Sequence, residues 1–385
     1  MKRSNRTRDG QQAGGSGPGR PFEALAEGFV FRAPADGPTA VASGPRCAVT
    51  NSGEVVCTFM VQAEMGLNDF MPMLARSRDG GATWEEPATI WPRLQDQWAI
   101  FGSVSRAPGG ELLFYGTRTR IAAPGETNWC PATQGLKANE LLWARSRDDG
   151  RTWTDPTVIP MPIPGAAEAP GALCAARDGA WHACYSPYNT FDPELVVERN
   201  QVVLLTSRDE GNTWRHTAML SFEHSYATAA EAWVIELADG RLLGTCWNLN
   251  QQDGSDFPNA YGLSRDGGRT WCPTHSTGIM GQSTALAPLP DGRALFIYNQ
   301  RRHGDPGVRL AVARPTESSF GVEADEIAWR ADRPTTASTG HADWTGFSFG
   351  EPHVAVLPDG SWLVVLWCIQ PDGRGIRYVR LRPNV

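Results

Sequence analysis

Short apolar runs alternate with turn-forming dipeptides along most of the chain. In six places an apolar run leads into an Asp-Gly, Gly-Gly or Ser-Gly pair and a second apolar run follows, and these segments span 48–61, 103–116, 172–185, 234–247, 285–299 and 354–367. Such a pair between two β-rich stretches is a strong hairpin signal. The pattern therefore predicts six β-hairpins.

Four of these hairpins are followed by another apolar run that enters nearly the same polar turn. The turns read SRDGGATW (77–84), SRDDGRTW (146–153), SRDEGNTW (207–214) and SRDGGRTW (264–271). Their uneven spacing fits a module whose strands are joined by loops of variable length. A hairpin followed by two more strands is a four-stranded unit, and six such units predict an all-β, six-bladed propeller.

The last two units depart from this pattern. Unit five has no Trp turn in 308–323, and unit six reaches its third strand at 375–383 just before the chain ends. Residues 22–32, FEALAEGFVFR, precede the first hairpin and are predicted to supply the missing outer strand. That pairing closes the ring and removes an open sheet edge. We expect one domain over 21–385.

The repeated turn has the chemistry of a scaffold. An Asp in a tight turn accepts hydrogen bonds from backbone N–H groups ahead of it, and a Gly adopts positive φ at no steric cost. Each terminal Trp can bury a large face between strands. We therefore interpret these turns as structural, and expect the chemistry elsewhere.

Composition narrows the classes of partner. The high counts of 41 Gly, 29 Pro and 15 Trp suit a chain with many tight turns, and the net charge of −7 argues against a nucleic-acid partner. No apolar run approaches the ~18 residues that a membrane helix needs. The eight cysteines are expected to be small buried hydrophobes. No cofactor or metal motif is present, while a structural Ca²⁺ and the oligomeric state stay open.

The first residues differ from the rest. Residues 1–20 are rich in Gly and Arg and have no apolar stretch like that of a secretory signal. We expect a disordered tail and a cytoplasmic location. The alternative is a wrongly assigned start that hides an export signal.

The turn Ser-x-Asp-x-Gly-x-Thr-Trp resembles the Asp-box, or BNR repeat. With six hairpins, the chain resembles the sialidase (neuraminidase) superfamily of six-bladed propellers from about residue 22 to residue 385. This resemblance indicates the fold but not the activity, because Asp-boxes also occur in lyases, other glycosidases and non-enzymes.

Propeller geometry points to the residues at the mouth of the central channel. The inner strand of each blade begins there, and the loop after the second strand overhangs it. The strand starts carry Arg46, Ser103, Glu168, Glu231, Gln282 and Glu351, and the loops carry Asp69, Arg118, Tyr188, Asn248, Arg301 and Arg302. Three glutamates at strand starts either perform chemistry or line a hydrated channel and bond to neighbouring blades.

The resemblance implies roles for some of these positions. Sialidases clamp a substrate carboxylate with three arginines, and use a Tyr nucleophile activated by a Glu and an Asp acid/base, outside the usual two-carboxylate scheme. Arg46 matches the first-blade arginine, Asp69 the acid/base and Glu231 the activating Glu. Arg301 or Arg302 matches the fifth-blade arginine, with Arg309 as a further alternative.

Two positions depart from that family pattern. The fourth blade has TCWNLN (245–250) where an arginine is expected, and the sixth blade begins with Glu351 where the nucleophilic Tyr is expected. A second carboxylate can replace the Tyr as nucleophile. It would repel a substrate carboxylate, so an ordinary sialoside is disfavoured.

The leading hypothesis is a sialidase-like glycoside hydrolase that removes a terminal sugar, acidic or not. Glu231, Glu351 and Asp69 are its catalytic candidates. The predicted substrate-binding residues are Arg46, Arg118, Arg301, Arg302, Glu168, Tyr188 and Asn248. One alternative is a non-catalytic glycan-binding propeller that stacks sugars on Tyr188, Trp233 and Trp247. Another is a polysaccharide lyase, for which the candidates for the catalytic base are Tyr188, Tyr261, His303 and His353.

Overall fold

The computed structural model describes residues 20–332 and 341–384, and within them the strands form six antiparallel sheets arranged as the blades of a propeller. The predicted six-bladed β-propeller is confirmed. The tail predicted over residues 1–20 lies outside the described residues except for Arg20. In the described part of the chain, no helix is long and apolar enough to cross a membrane.

The first three blades follow the order of the hairpins. The chain begins with β1 (Phe22–Arg32), which belongs to the last blade. Blade one contains β2 (Val41–Val49), β3 (Val55–Gln62), β4 (Met71–Ser77) and β5 (Ala88–Thr89), and a 3-10 helix, Pro92–Leu94, follows it. Blade two contains β6 (Trp98–Arg106), β7 (Leu112–Arg120), β10 (Asn139–Ser146) and β11 (Thr157–Ile159), with the small hairpin β8 (Trp129–Cys130) and β9 (Gly135–Leu136) inserted after β7. Blade three contains β12 (Ala166–Glu168), β13 (Cys174–Ala175), β14 (Trp181–Tyr188), β15 (Gln201–Ser207) and β16 (Arg215–Ser221).

The last three blades complete the ring. Blade four contains β17 (Ala227–Glu236), β18 (Leu242–Asn250), β19 (Ala260–Ser264) and β20 (His275–Ser276). Blade five contains β21 (Gln282–Pro288), β22 (Ala294–Gln300), β23 (Gly307–Ala313) and β24 (Val322–Arg330). A 3-10 helix, His341–Gly346, precedes blade six, which contains β25 (Phe349–Val356), β26 (Trp362–Gln370) and β27 (Gly373–Pro383).

The N-terminal strand closes the ring, as predicted. β1 runs antiparallel to β27, with Phe22 opposite Pro383 and Arg32 opposite Gly375. The blade therefore has the order β1-β27-β26-β25, and both ends of the chain contribute to one sheet. The backbone edge of β27 is paired rather than open, which removes a site for unwanted strand addition.

The hydrophobic core lies between adjacent blades. One cluster of fully buried side chains joins Leu243 of blade four, Phe296 of blade five and Val364 of blade six. Inner and second strands are apolar on both faces because each sheet packs between two others. This explains the continuous apolar runs of the hairpins, which differ from the alternation of a half-exposed sheet.

The repeated turn is held by short-range hydrogen bonds. In the first copy, Ser77 Oγ donates to Asp79 Oδ1 at 2.8 Å and accepts the Gly81 N–H at 2.8 Å. Asp79 also accepts the backbone N–H of Thr83 at 2.9 Å and its hydroxyl at 2.5 Å. The other three copies repeat these bonds around Asp148, Asp209 and Asp266.

The same turn also fixes the spacing between blades. A Cβ added at Gly81 would lie 3.0 Å from Leu363 of blade six, and one at Gly211 would lie 2.6 Å from the ring of Trp143 of blade two. Both glycines also have positive φ. Each turn thus packs on the preceding blade where a side chain would not fit, which supports its interpretation as a scaffold.

Candidate active site

β-Bulges at the starts of inner strands direct side chains into the channel mouth. The strand register shifts between Ser43 and Arg46 in blade one, and corresponding shifts occur in blades four, five and six. The residues there with positive φ are Gly44 (58°), Glu231 (53°), Ser283 (50°) and Glu351 (46°). A bulge re-aims a side chain, and left-handed backbone is unfavourable for residues other than Gly, so such positions concentrate at functional sites.

These bulges border a cavity of about 170 Å³ at the channel mouth. Three carboxylates line it, those of Glu168, Glu231 and Glu351, and they come from blades three, four and six. Ser283 of blade five and Arg301, which follows β22, also line it. The structure therefore brings the three glutamates of the predicted strand starts to one place.

Each carboxylate is bonded to the bulge of a neighbouring blade. Glu351 Oε2 accepts the N–H of Gly44 at 2.8 Å, which joins blade six to blade one. Both Glu168 oxygens accept the N–H of Glu231, at 3.0 and 3.2 Å, and Ser283 Oγ donates to Glu231 Oε1 at 3.3 Å. The glutamates thus have the structural role allowed by the sequence analysis. Glu231 Oε2, however, is buried with no hydrogen-bond partner among the described residues.

The environment gives these carboxylates different proton affinities. Burial, followed by the nearby charge of Glu351, raises the pKa of Glu231 to about 8. Burial also raises the pKa of Glu351, but Arg46, the Gly44 N–H and Arg301 oppose that rise. Burial and then Glu231 raise the pKa of Glu168 well above its ordinary value. At neutral pH Glu231 therefore holds its proton, while Glu351 is the best stabilised anion of the three.

A buried arginine stacked on aromatic rings lies near the carboxylates of Glu231 and Glu351. The Arg46 guanidinium is fully buried and lies 5.1 Å from the ring centroid of Trp233, which stacks on His353 at 5.5 Å. Arg46 donates to the carbonyls of Pro45 (2.8 Å), Glu351 (3.0 Å) and Pro170 (3.2 Å). Arg46 therefore ties three blades together and does not line the cavity, while its Nη2 is buried with no hydrogen-bond partner among the described residues. Burial also lowers the pKa of His353 to about 3, so this ring is neutral.

Eight aromatic residues line the cavity beside the Arg, Glu, Asn and Tyr side chains that the sequence led us to expect there. The aromatic lining residues are Phe70, Phe101, Trp129, Tyr188, Trp247, Trp344, Phe347 and Trp367. Trp129 comes from the β8–β9 hairpin and Trp344 from the 3-10 helix before blade six. Both were missed because they lie in insertions with no strand pattern. The only signal for them was the high tryptophan count.

Arg301 is the one guanidinium that lines the cavity within the described ranges. Its Nε and Nη2 donate to the carbonyl of Phe349 at 3.3 and 3.0 Å, and its Cζ lies 3.9 Å from the ring centroid of Phe347. Burial lowers its pKa to about 9. These contacts hold Nε and Nη2 in place, whereas Nη1 is buried with no hydrogen-bond partner among the described residues.

Half of the predicted site residues do not reach the cavity lining. Glu168, Tyr188, Glu231, Arg301 and Glu351 line it, whereas Arg46, Asp69, Arg118, Asn248 and Arg302 do not. Their observed contacts differ from the predicted roles. Arg118 binds Glu140 at 2.6 Å, Arg302 donates to the Gly254 carbonyl at 3.1 Å, and Asp69 accepts the Ala63 N–H at 3.1 Å.

The structure accordingly has no three-arginine clamp at the cavity in the residues it describes. The long side chains of Arg118 and Arg302 bond to Glu140 and to the Gly254 carbonyl, and strand position alone does not predict such partners. Of the residues considered for lyase chemistry, Tyr188 lines the cavity and His303, His353 and Tyr261 do not. The part of the chain that the structure describes contains no cluster of three or more His, Cys, Asp or Glu suited to a metal ion.

Comparison with known proteins places this geometry in a family. A model of the BNR repeat-like domain matches residues 104–327, more than half of the chain. A sialidase of Bacteroides fragilis is 26% identical over 271 residues, covering 64% of this chain and 46% of that protein. A sialidase of Micromonospora viridifaciens is 28% identical over 244 residues, covering 56% and 34%. The chain thus matches less than half the length of either relative.

Solved structures share the architecture at low sequence identity. A protein of unknown function from Dyadobacter fermentans has a TM-score of 0.73 and 19% identity, covering 94% of this chain and all of that one. The NanB sialidase from Streptococcus pneumoniae has a TM-score of 0.61 and 17% identity, covering 94% and 71%. The α-L-arabinanase of Penicillium chrysogenum, complexed with arabinobiose, has a TM-score of 0.60 and 16% identity, covering 94% and 98%. The chain belongs to the BNR repeat-like family, within the sialidase superfamily of six-bladed β-propellers.

Proposed function

We propose that the protein is a glycoside hydrolase that removes a terminal, uncharged sugar, with Glu231 as general acid and Glu351 as the second carboxylate. The observation that carries this proposal is the contrast between two glutamates on one cavity floor. Glu231 is buried with a pKa raised to about 8, and Glu351 is bonded to a backbone N–H and close to Arg46. Pairs of carboxylates with different proton affinities are typical of acid/base assignments in glycosidases.

The proposed reaction uses both groups. Glu231 gives its proton to the glycosidic oxygen as the bond to the anomeric carbon breaks. Glu351 acts on that carbon as a nucleophile, or takes a proton from the water that attacks it. In the first case water later releases the sugar and returns a proton to Glu231. NMR of the initially released anomer distinguishes the two routes, since the first retains and the second inverts configuration.

The preference for an uncharged sugar follows from what surrounds the carboxylates. Arg301 donates to the Phe349 carbonyl through Nε and Nη2, which leaves only Nη1 for a ligand, and Trp247 lines the blade-four side where sialidases are expected to place an arginine. A substrate carboxylate would meet Glu168, Glu231 and Glu351 with this single arginine in place of a three-arginine clamp. Aromatic rings instead offer apolar faces on which sugar rings can stack.

A buried stack of side chains near the carboxylates favours attack at a chain end. Arg46, Trp233 and His353 form this stack, and we infer that it blocks the channel, so that a glycan enters the cavity only from the mouth. A pocket that is blind at its base accepts a terminal residue more readily than an internal one. The proposed activity is therefore exo-acting.

A substrate panel tests this proposal. It contains 4-nitrophenyl glycosides of α-L-arabinofuranose, β-D-galactopyranose and α-L-fucopyranose, together with 4-methylumbelliferyl N-acetylneuraminic acid. We expect turnover of a neutral glycoside, reduced at least ~10³-fold in Glu231→Gln and in Glu351→Gln. Glutamine keeps an acceptor oxygen for the bonds between blades, so both variants should remain folded.

Asp209→Asn in a repeated turn is the matched control, because it also neutralises a carboxylate but lies far from the cavity. Preferred turnover of the sialoside contradicts the proposed substrate class. Turnover unchanged in both glutamate variants contradicts the proposed residues. Saturable sugar binding without any turnover supports the glycan-binding alternative.

A further inference from the structure

A fourth carboxyl-bearing residue near the site, Asp256, lies behind the ring of Trp247. It belongs to the loop between β18 and β19, and its side chain is 0% exposed. Asp256 Oδ1 accepts the indole N–H of Trp247 at 2.9 Å. Asp256 Oδ2 accepts Gln282 Nε2 at 3.2 Å and contacts His303 Nε2 at 2.7 Å. A buried carboxylate with several donors forms a rigid network.

Two branches of this network lead to the cavity. Trp247 contributes its ring to the cavity wall. Gln282, which is fully buried, bonds to Asp256 through Nε2 and accepts the backbone N–H of Arg301 through Oε1 at 3.1 Å. One carboxylate in blade four therefore fixes both an aromatic wall and the backbone of the arginine that lines the cavity.

The charge of Asp256 is balanced on the side away from the cavity. Arg302 Nε lies 3.7 Å from Oδ2, and His303, 31% exposed at its side chain, reaches the same oxygen from the rim. The network thus extends from the surface of blade five to the wall of the cavity. Hydrogen bonds to an ionised acceptor are stronger than neutral ones, so the orientation of the indole is well determined.

We propose that Asp256 is a positioning residue that sets the preference for uncharged sugars by holding the Trp247 ring across the blade-four side of the cavity. This inference rests on the proposed function. The ring fills the place where a clamp for a substrate carboxylate would be expected, and the Asp256 carboxylate lies directly behind it. Residues that orient a binding surface in this way act on affinity more than on the chemical step.

A double-mutant cycle tests the proposal. The probe is the 4-nitrophenyl glycoside from the panel that the wild-type protein cleaves fastest. Asp256→Asn removes the charge at nearly constant shape, and Trp247→Phe removes the indole N–H. We expect each to raise KM roughly tenfold with a smaller change in kcat, and the double variant to resemble either single variant because both disrupt one interaction. Additive effects, or an unchanged KM in Asp256→Asn, overturn the inference.

Asp325→Asn is the matched control. Asp325 also accepts an aromatic donor, Tyr298 Oη at 2.6 Å, and also bonds to an arginine, Arg309 at 3.0 Å, but its aromatic partner Tyr298, unlike Trp247, does not line the cavity. It should lose stability without a rise in KM. A similar rise in KM in this variant would mean that loss of any buried network affects binding, which also overturns the inference.

A second measurement separates this inference from the proposed function. The indole N–H resonance of Trp247, assigned by its loss in Trp247→Phe, is followed by NMR without any sugar. It should shift in Asp256→Asn and stay in place in Asp325→Asn. An unmoved resonance overturns the inference whatever the activity, whereas a shifted resonance with no turnover of any glycoside counts against the proposed function alone.

Discussion

The repeated turns and the channel mouth use the same functional group in opposite surroundings. In the turn at the edge of blade one, hydrogen bonds from Thr83 lower the pKa of Asp79 to about 2. At the mouth, burial and the charge of Glu351 raise the pKa of Glu231 to about 8. A carboxylate surrounded by donors near water is a stable anion that holds a turn. One buried beside other carboxylates retains a proton that it can transfer.

The backbone differs less between the two regions. The turns adopt positive φ at Gly81 and Gly211, where glycine carries little strain, but also at Asp149 and Glu210 in the second and third copies. The mouth adopts it at Glu231 and Glu351, where a side chain makes it unfavourable. Left-handed backbone at a residue other than glycine therefore occurs in both regions, and the surroundings of the carboxylates are what separate them.

The largest expected effect that sharpens this comparison is on the pH dependence of catalysis. If Glu231 is the general acid, kcat/KM should fall about tenfold per pH unit above about pH 8, as Glu231 loses its proton. The groups that face it are Glu168, Glu351, Arg46 and Arg301. The measurement is kcat/KM from pH 5 to 10 on the fastest glycoside, with Asp209→Asn giving the same curve. A rate that is constant up to pH 10 excludes Glu231 from this role.

The next effect concerns stability at the mouth. The folded pKa of Glu231 lies above its unfolded value, so its contribution to stability is complete below about pH 4.3 and is lost as pH rises to about 8. Glu231→Gln does not titrate and should lack this loss. Because the two pKa values differ by more than three units, at about 1.4 kcal/mol per unit, wild type should lose on the order of 5 kcal/mol relative to the variant in urea unfolding between these limits. Parallel pH profiles for the two proteins would contradict this expectation.

A smaller effect is expected in the turns. Asp209→Ala removes the acceptor for the Ser207 hydroxyl and for the backbone N–H and hydroxyl of Thr213. The free energy of unfolding should fall by about 1–2 kcal/mol, because the turn loses these bonds near solvent. The kinetic constants on the fastest glycoside should not change. A fall in kcat at full folding would show that the turns influence the mouth.

The smallest effect is the acid dependence of a single turn. The folded pKa of Asp79 is lowered to about 2, so its contribution to stability is present above its unfolded pKa and is lost as pH falls towards 2. Solvent weakens this contribution because the turn is exposed. Asp79→Asn should therefore reduce the fall in melting temperature between pH 4 and pH 2 by only about one degree. A larger change would show that this turn stabilises more of the fold than its own loop.

Part of the site was predictable because propeller geometry assigns strand starts to the channel. This reasoning led to Glu168, Glu231 and Glu351, and all three line the cavity. Arg118, chosen by the same reasoning, does not line the cavity, and its long side chain binds Glu140. The reasoning also omitted Asp256, which reaches the site only through the packing of a loop behind Trp247. Side-chain direction and partner choice depend on neighbouring blades, which strand order does not specify.

The amino-acid sequence by itself determined the ring. Asp79 bonds to residues two and four positions away, and the hairpins join adjacent segments, so these contacts leave a local pattern in the sequence. Only the tertiary structure decided which groups share the cavity. Glu351 bonds to Gly44 across 307 positions, and Arg46 reaches Pro170 across 124. Such contacts form because closure of the ring brings distant strand starts together, and no local pattern encodes their register.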